Sequence, residues 1–352
     1  MQSEHGLHPD LIFFTGDLAF GQLPESSLEK QYEEAARFLD GIRESFDPVI
    51  DPSMLFLVPG NHDVNRTLVG RPDIHWLDSL TGEEGANTIS ALMRAKNLEW
   101  RRFMERLADY RRFLESHEEY RHILADPDRL IYAVERVVSG FRIGIAGFNT
   151  AWSCCREVED GKLWLGRWQI EALRSQLEDC DFRIALTHHP LNWFHKEEDP
   201  VLRREIEESF EIHLHGHEHL GWADVFDHHV RIAAGACYEY SKKENGYSIA
   251  TIRPLQGRGQ ILFRRYDPTG RGWVARNIHR KAEHNGCWKL RLAWAHTIDT
   301  LHRTEELTRK PPFSEVRSDG VVKVEVGKSS PLTAVAPGSS GKKPKAKGLR
   351  EV

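Results

Sequence analysis

Residues 54–63 read Met54-Leu55-Phe56-Leu57-Val58-Pro59-Gly60-Asn61-His62-Asp63. The uninterrupted apolar run from Met54 to Val58, closed by Pro59-Gly60, has the length and composition of a buried strand. A strand that ends in a glycine and three polar side chains delivers chemistry at its C-terminal end. The same arrangement recurs along the chain. Leu11 to Phe14 precede Gly16-Asp17, Phe182 to Leu186 precede Thr187-His188-His189, and the alternating Glu211-Ile212-His213-Leu214 precede Gly216-His217-Glu218-His219. If these strands lie side by side, Asp17, Asn61, His188, His217 and His219 converge on one rim from distant sequence positions. Carboxylate, amide oxygen and imidazole suit a divalent ion such as Mn, Fe, Zn or Co.

The order Gly-Asp, Gly-Asn-His-Asp, His, Gly-His-x-His resembles the calcineurin-like metallophosphoesterase superfamily, over residues 8–280. The resemblance implies an α/β fold, a four-layer αββα sandwich. It also implies hydrolysis of phosphate esters by two divalent metal ions and the hydroxide they activate. Two ions about 3.5–4 Å apart hold the ester oxygens and lower the pKa of a bridging water. By the family pattern Asp17 bridges the ions, Asn61, His188 and His217 complete one of them, and His219 belongs to the other. The residue matching His62 contacts the phosphate and protonates the leaving oxygen. An imidazole beside two cations is pushed toward neutrality, so Asp63, or another carboxylate in contact, would supply the field that retains its proton. Arg66, on the same loop, is a further candidate for phosphate contact. The Gly-Asn-His-Asp form and the long segment after it resemble the phosphodiesterase and nuclease branches, so a phosphodiester is the expected substrate.

One family motif is missing. An Asp-x-His on a first strand normally precedes Gly-Asp, and here Gly-Asp arrives at residue 16. Asp10 cannot replace it, because a strand carries Asp10 and Asp17 about 20 Å apart. The opening therefore reads as a shortened start, leaving Asp17 and His219 alone at the second ion. A second reading follows: a catalytically impaired or regulatory module of the same fold.

A chain of 352 residues, 40% hydrophobic and 29% charged, has ample length for a large core. Its formal charge of -5 gives no global reason to expect nucleic-acid or membrane-surface binding. No apolar run approaches the length of a membrane helix and no leader pattern opens the chain, so the reading is cytoplasmic with no membrane partner. The 5 cysteines are odd in number and lack paired spacing, so reduced thiols are expected.

The pattern divides the chain into a core over 1–282, a helical insertion at about 68–132, a C-terminal helix over 283–310 and a disordered basic tail over 311–352. Ser26-Ser27-Leu28-Glu29 has capping-box spacing from Ser26, and Leu28, Tyr32, Ala35, Leu39 and Ile42 then follow helical periodicity. Within the insertion Trp100, Phe103, Leu107, Tyr110 and Leu114 share a helical stripe, and the arginines around them interleave with acids as on a solvated face. Segments at 230–233, 247–252 and 260–263 read as strands of a second sheet, and Leu290, Trp294, Ile298 and Leu301 as one stripe of the last helix. The lysines at 342–347 leave nucleic acid as a partner to be tested, and no feature specifies a protein partner. Of the remaining histidines, His189 is expected behind the site and His215, next to Gly216, is a weaker candidate for the rim.

Overall fold

The first motif strand, β1 (Ile12–Phe14), pairs in parallel with β2 (Leu55–Leu57), with Phe13 opposite Phe56. We describe a computed structural model covering residues 7–237, 244–277 and 285–293. These residues belong to one unit, Met1–Glu305. Between the two strands runs α1 (Leu28–Glu44), which buries Leu28, Tyr32, Ala35, Ala36 and Leu39. Its N-cap is Ser27, not Ser26: the Ser27 hydroxyl accepts from the Lys30 amide. Ser26 is drawn off by the side-chain amide of Gln31, which donates to the Ser26 carbonyl at 2.9 Å. The capping-box spacing therefore marked the helix start one residue early.

After β2, four helices follow: α2 (Arg71–Ser79), α3 (Gly82–Ala95), α4 (Leu98–Glu105) and α5 (Ala108–Ser116). The apolar stripe expected there is the buried one, with Trp100, Phe103, Leu107, Tyr110 and Leu114 all in the core. Trp100 and Phe103 close on Trp152, at ring separations of 5.3 and 5.6 Å. Buried Arg106 donates to the carbonyls of Trp152 and Cys154. These contacts fix the helical segment to the loop that carries Trp152 and Cys154, and truncating an aromatic of this kind costs about 3–5 kcal/mol.

The largest sheet has six strands: β3 (Tyr132–Val138), β4 (Phe141–Gly147), β5 (Phe182–Leu186), β6 (Ile212–His215), β7 (Trp222–Phe226) and β8 (His229–Ala233). Their spatial order is β3-β4-β5-β6-β8-β7. The run β4-β5-β6-β8 is parallel, and its members are largely buried, as parallel strands covered on both faces must be. Two helices accompany it, α6 (Arg167–Arg174) and α7 (Asp199–Ser209). The third sheet places the long β10 (Arg258–Asp267) against β9 (Gly246–Arg253) on one side and β11 (Gly272–Ala275) and β12 (Cys287–Arg291) on the other. Helices and several sheets together give the mixed α/β fold expected of a metallophosphoesterase.

Two expectations change. The strand at 230–233 does not join β9 and β10: the β7–β8 hairpin turns back so that β8 extends the parallel sheet, with Arg231 opposite His213. Trp288 and Leu290 do not begin a helix. They lie in β12, paired with β10, where Cys287 and Leu290 are buried. A short apolar run satisfies both periods, and the open edge of β10 selects the strand. The rest of the 283–310 span from residue 294, and the whole 311–352 tail, lie outside the described residues.

Strand ends position the chemistry. The loops that follow β1, β2, β4, β5 and β6 carry Asp17, Asn61-His62, Asn149-Thr150, His188-His189 and His217. In open parallel sheets this carboxyl end is where ligands sit.

Candidate metal centre

Gly60 shows how tightly the loops meet. A Cβ placed on it would fall 2.2 Å from Asp17 Oδ1 and 2.3 Å from the Asp17 nitrogen. Gly16, with φ of +97°, faces His188 in the same way, at 2.5 Å from Nδ1. Only residues without a side chain permit these approaches. Asp17 (φ 55°), His217 (φ 68°) and His219 (φ 57°) themselves occupy the left-handed region, which non-glycine residues adopt uncommonly.

His188 is almost wholly buried, and its Nδ1 donates to the Thr15 carbonyl at 2.7 Å. A carbonyl only accepts, so the proton of the neutral ring is on Nδ1 and Nε2 presents a lone pair. That lone pair meets Asn61 Oδ1 at 2.9 Å and Asp17 Oδ2 at 3.2 Å. His217 Nδ1 closes the group, 2.9 Å from Asn61 Oδ1 and 3.2 Å from His188 Nε2. Four atoms that can offer lone pairs, His188 Nε2, Asn61 Oδ1, Asp17 Oδ2 and His217 Nδ1, repel when aimed at one another unless a proton or a cation lies among them. Without a cation, a proton shared with Asp17 relieves that repulsion. Burial is the largest single influence on His188 and lowers its basicity, but the Asp17 charge, the hydrogen bonds to Asp17 and to the Thr15 carbonyl, and the Asp63 charge together outweigh it, and the ring is raised above its ordinary value. Asp17, pushed up by burial, is held well below the carboxylate range by His188 and His62. Burial and the His188 charge push His217 down to about 3, which keeps it a neutral ligand. Metal–ligand bonds of about 2.1 Å set adjacent ligands about 3.0–3.4 Å apart, so the group has the dimensions of half a coordination shell.

The other residues are distributed around this group. His62 donates its backbone N–H to Asp17 Oδ1 at 2.9 Å and its ring Nδ1 to the Phe20 carbonyl at 2.9 Å. Asp63 is fully buried and turned to the loops: its oxygens accept from Gly60 N at 2.7 Å, Ala19 N at 3.0 Å, Leu18 N at 3.3 Å and the Tyr32 hydroxyl at 3.0 Å. Burial and the Asp17 charge raise it to about 6. His219 is not one of the His188–His189–His217 group, though its charge acts on His217, and it lines a cleft with Leu220, Glu244 and Arg264. Arg66 is engaged by Glu159 and by the Arg156 carbonyl.

His189 lies behind the group, with Nδ1 against the Thr150 hydroxyl at 2.9 Å and Nε2 3.8 Å from Cys154 Sγ. His215 is buried, edge-on to Trp222, with Nδ1 at 3.2 Å from the Gly216 carbonyl. Trp193, which the sequence reading missed, packs its ring 4.1 Å from that of His217. Thr15 and Phe20 were missed too, because they act through main-chain carbonyls. All 5 cysteines are free.

The sequence profile described as calcineurin-like phosphoesterase matches residues 3–221. The chain belongs to the calcineurin-like phosphoesterase family. Calcineurin-like phosphoesterases bind divalent metals and act on phosphate esters, and this member carries a histidine cluster, His188, His189 and His217, at the corresponding strand ends. No curated protein sequence matches it. Among solved structures it is similar to the Plasmodium inner-membrane-complex anchor GAP50, at 15% identity and TM-score 0.27 over 43% of this chain and 54% of that one. It is also similar to a Staphylococcus aureus protein described as a 5'-nucleotidase and solved with alpha-ketoglutarate, at 10% identity and TM-score 0.31, over 82% and 57% of the two chains. A third is Entamoeba histolytica Vps29 complexed with zinc, at 10% identity and TM-score 0.21, over 46% and 60%. This chain thus spans between 54% and 60% of the length of those chains. Among the described residues, no helix is long and apolar enough to cross a membrane.

Proposed function

We propose that this chain hydrolyses phosphate esters, phosphodiesters foremost, with one divalent ion held by Asp17, Asn61, His188 and His217 and a second by Asp17 and His219. The observation that carries this reading is the meeting of His188 Nε2, Asp17 Oδ2, Asn61 Oδ1 and His217 Nδ1 at separations of 2.9–3.2 Å. When bound, such ions polarise the phosphoryl group and make water a nucleophile at neutral pH.

The chain's own residues then have distinct tasks. His62 is the proton donor to the leaving oxygen. Because Nδ1 is committed to the Phe20 carbonyl, the proton is delivered from Nε2, and this requires the imidazolium form. The His62 amide fixes the second oxygen of Asp17, so the donor and the bridging carboxylate keep a set spacing. Asp63 serves both by tying the Leu18-Ala19 and Gly60 backbones together.

The position of His219, outside the His188 cluster, favours a second reading: a single-ion, non-catalytic module. Metal content, measured beside hydrolysis of a chromogenic phosphodiester with added Mn, separates the two. Two ions, with turnover abolished in His62→Ala, supports the enzyme. One ion or none, with no turnover by the wild type, supports the module.

A further inference from the structure

Phe20 is 69% exposed, and its ring lies 5.1 Å from that of His62 at an interplanar angle of 25°. Single exposed apolar residues are ordinary on protein surfaces. This one is held from both sides of its main chain. Its N–H donates to Gln31 Oε1 at 2.6 Å and its carbonyl accepts from His62 Nδ1 at 2.9 Å. Gln31 in turn donates through Nε2 to the carbonyls of Gly21 and Ser26, at 2.7 and 2.9 Å. The segment is fixed while the aromatic face stays open, so little ordering entropy remains to be lost when something stacks on it. A proton from His62 Nε2 passes to an oxygen about 3 Å away, which places whatever is bonded to that oxygen beside the Phe20 ring.

We infer that Phe20 is a stacking platform for the leaving group, and that the substrates of this site are phosphate esters whose leaving alcohol carries a flat aromatic ring. The inference rests on the phosphoesterase reading above, with His62 as proton donor. Phe20 is a specificity-determining residue; its carbonyl orients His62 whatever its side chain.

Benzylphosphonate and cyclohexylmethylphosphonate, in which a CH2 takes the place of the leaving oxygen, resist hydrolysis and differ chiefly in the flatness of the ring, so calorimetric titration of the Mn-loaded protein with each isolates the stacking. The wild type binds the benzyl compound about five- to tenfold tighter, the size of an aromatic pairing beyond its area. Phe20→Leu, which keeps apolar bulk and the backbone bonds, brings the ratio close to one, and Phe20→Trp restores it. Equal affinities in the wild type, or a preference that survives Phe20→Leu, overturns the platform and leaves the phosphoesterase reading standing. No binding of either phosphonate, with no turnover of any ester, overturns both.

Discussion

The Tyr32 hydroxyl donates to Asp63 Oδ1 at 3.0 Å, joining α1 to the loop beyond β2 inside the core. Asp63 also receives three backbone N–H groups, from Leu18, Ala19 and Gly60, so its two oxygens organise both loops that carry Asp17 and Asn61. Tyr32→Phe removes one donor and should destabilise the protein by about 1 kcal/mol, whereas Asp63→Asn sets an amide N–H against another donor and should cost about 2–4 kcal/mol. Chemical denaturation midpoints at constant m-value check both.

Asp17 sits where no Cβ on Gly60 can coexist with it. Gly60→Ala should displace the Asp17 carboxylate and lower Mn affinity at least tenfold. Overall stability should fall far less than in Asp63→Asn. Equilibrium dialysis against Mn, alongside thermal melts, makes the comparison. Unchanged Mn affinity in Gly60→Ala would remove Asp17 from the ion-binding group.

The same group predicts how metal and stability are linked. A ligand bound at a hundred times its Kd stabilises the folded state by about 2.7 kcal/mol. Saturating Mn should therefore raise the melting temperature of the wild type by several degrees. Asn61→Ala, His188→Ala and His217→Ala should each abolish that rise.

Glu198, just ahead of α7, offers a pH dependence of its own. It is fully buried and accepts from the amides of Leu165 at 2.8 Å and Gly166 at 3.0 Å. Burial pushes its carboxyl up to about 7, against those hydrogen bonds. A raised carboxyl pKa means that the folded state keeps a proton the unfolded chain releases. Its contribution to stability is full below the unfolded value near 4.5 and is lost as pH rises toward about 7. The loss is on the order of 3 kcal/mol. Glu198→Gln, which cannot ionise, should show a flatter stability profile between pH 5 and about pH 8 by urea denaturation.

What could be read in advance follows from where the signal resides. Met54–Val58 and Phe182–Leu186 announce strands because burial demands continuous apolar runs, the half-buried Leu11–Phe14 reads the same way, and the polar motifs at their ends announce a site. Thr15 and Phe20 were invisible because a carbonyl that orients a histidine can belong to any residue. The hydrogen bonds of Asp63 to both loops could not be read, because sequence adjacency to His62 says nothing of which way a side chain turns. The conformation of residues 287–291 was decided by the free edge of β10, a tertiary fact.

The hydrogen bond from His188 Nδ1 to the Thr15 carbonyl closes a span of 173 residues. Closures of that length come late in folding, after shorter-range contacts have formed. An ion that needs this junction cannot seed the native state; it acts as a latch on a finished molecule. Refolding rates should then be the same with Mn and with chelator, while the unfolding rate alone slows in the presence of the ion. For this chain, metal would govern how long the folded state lasts rather than how quickly it is reached.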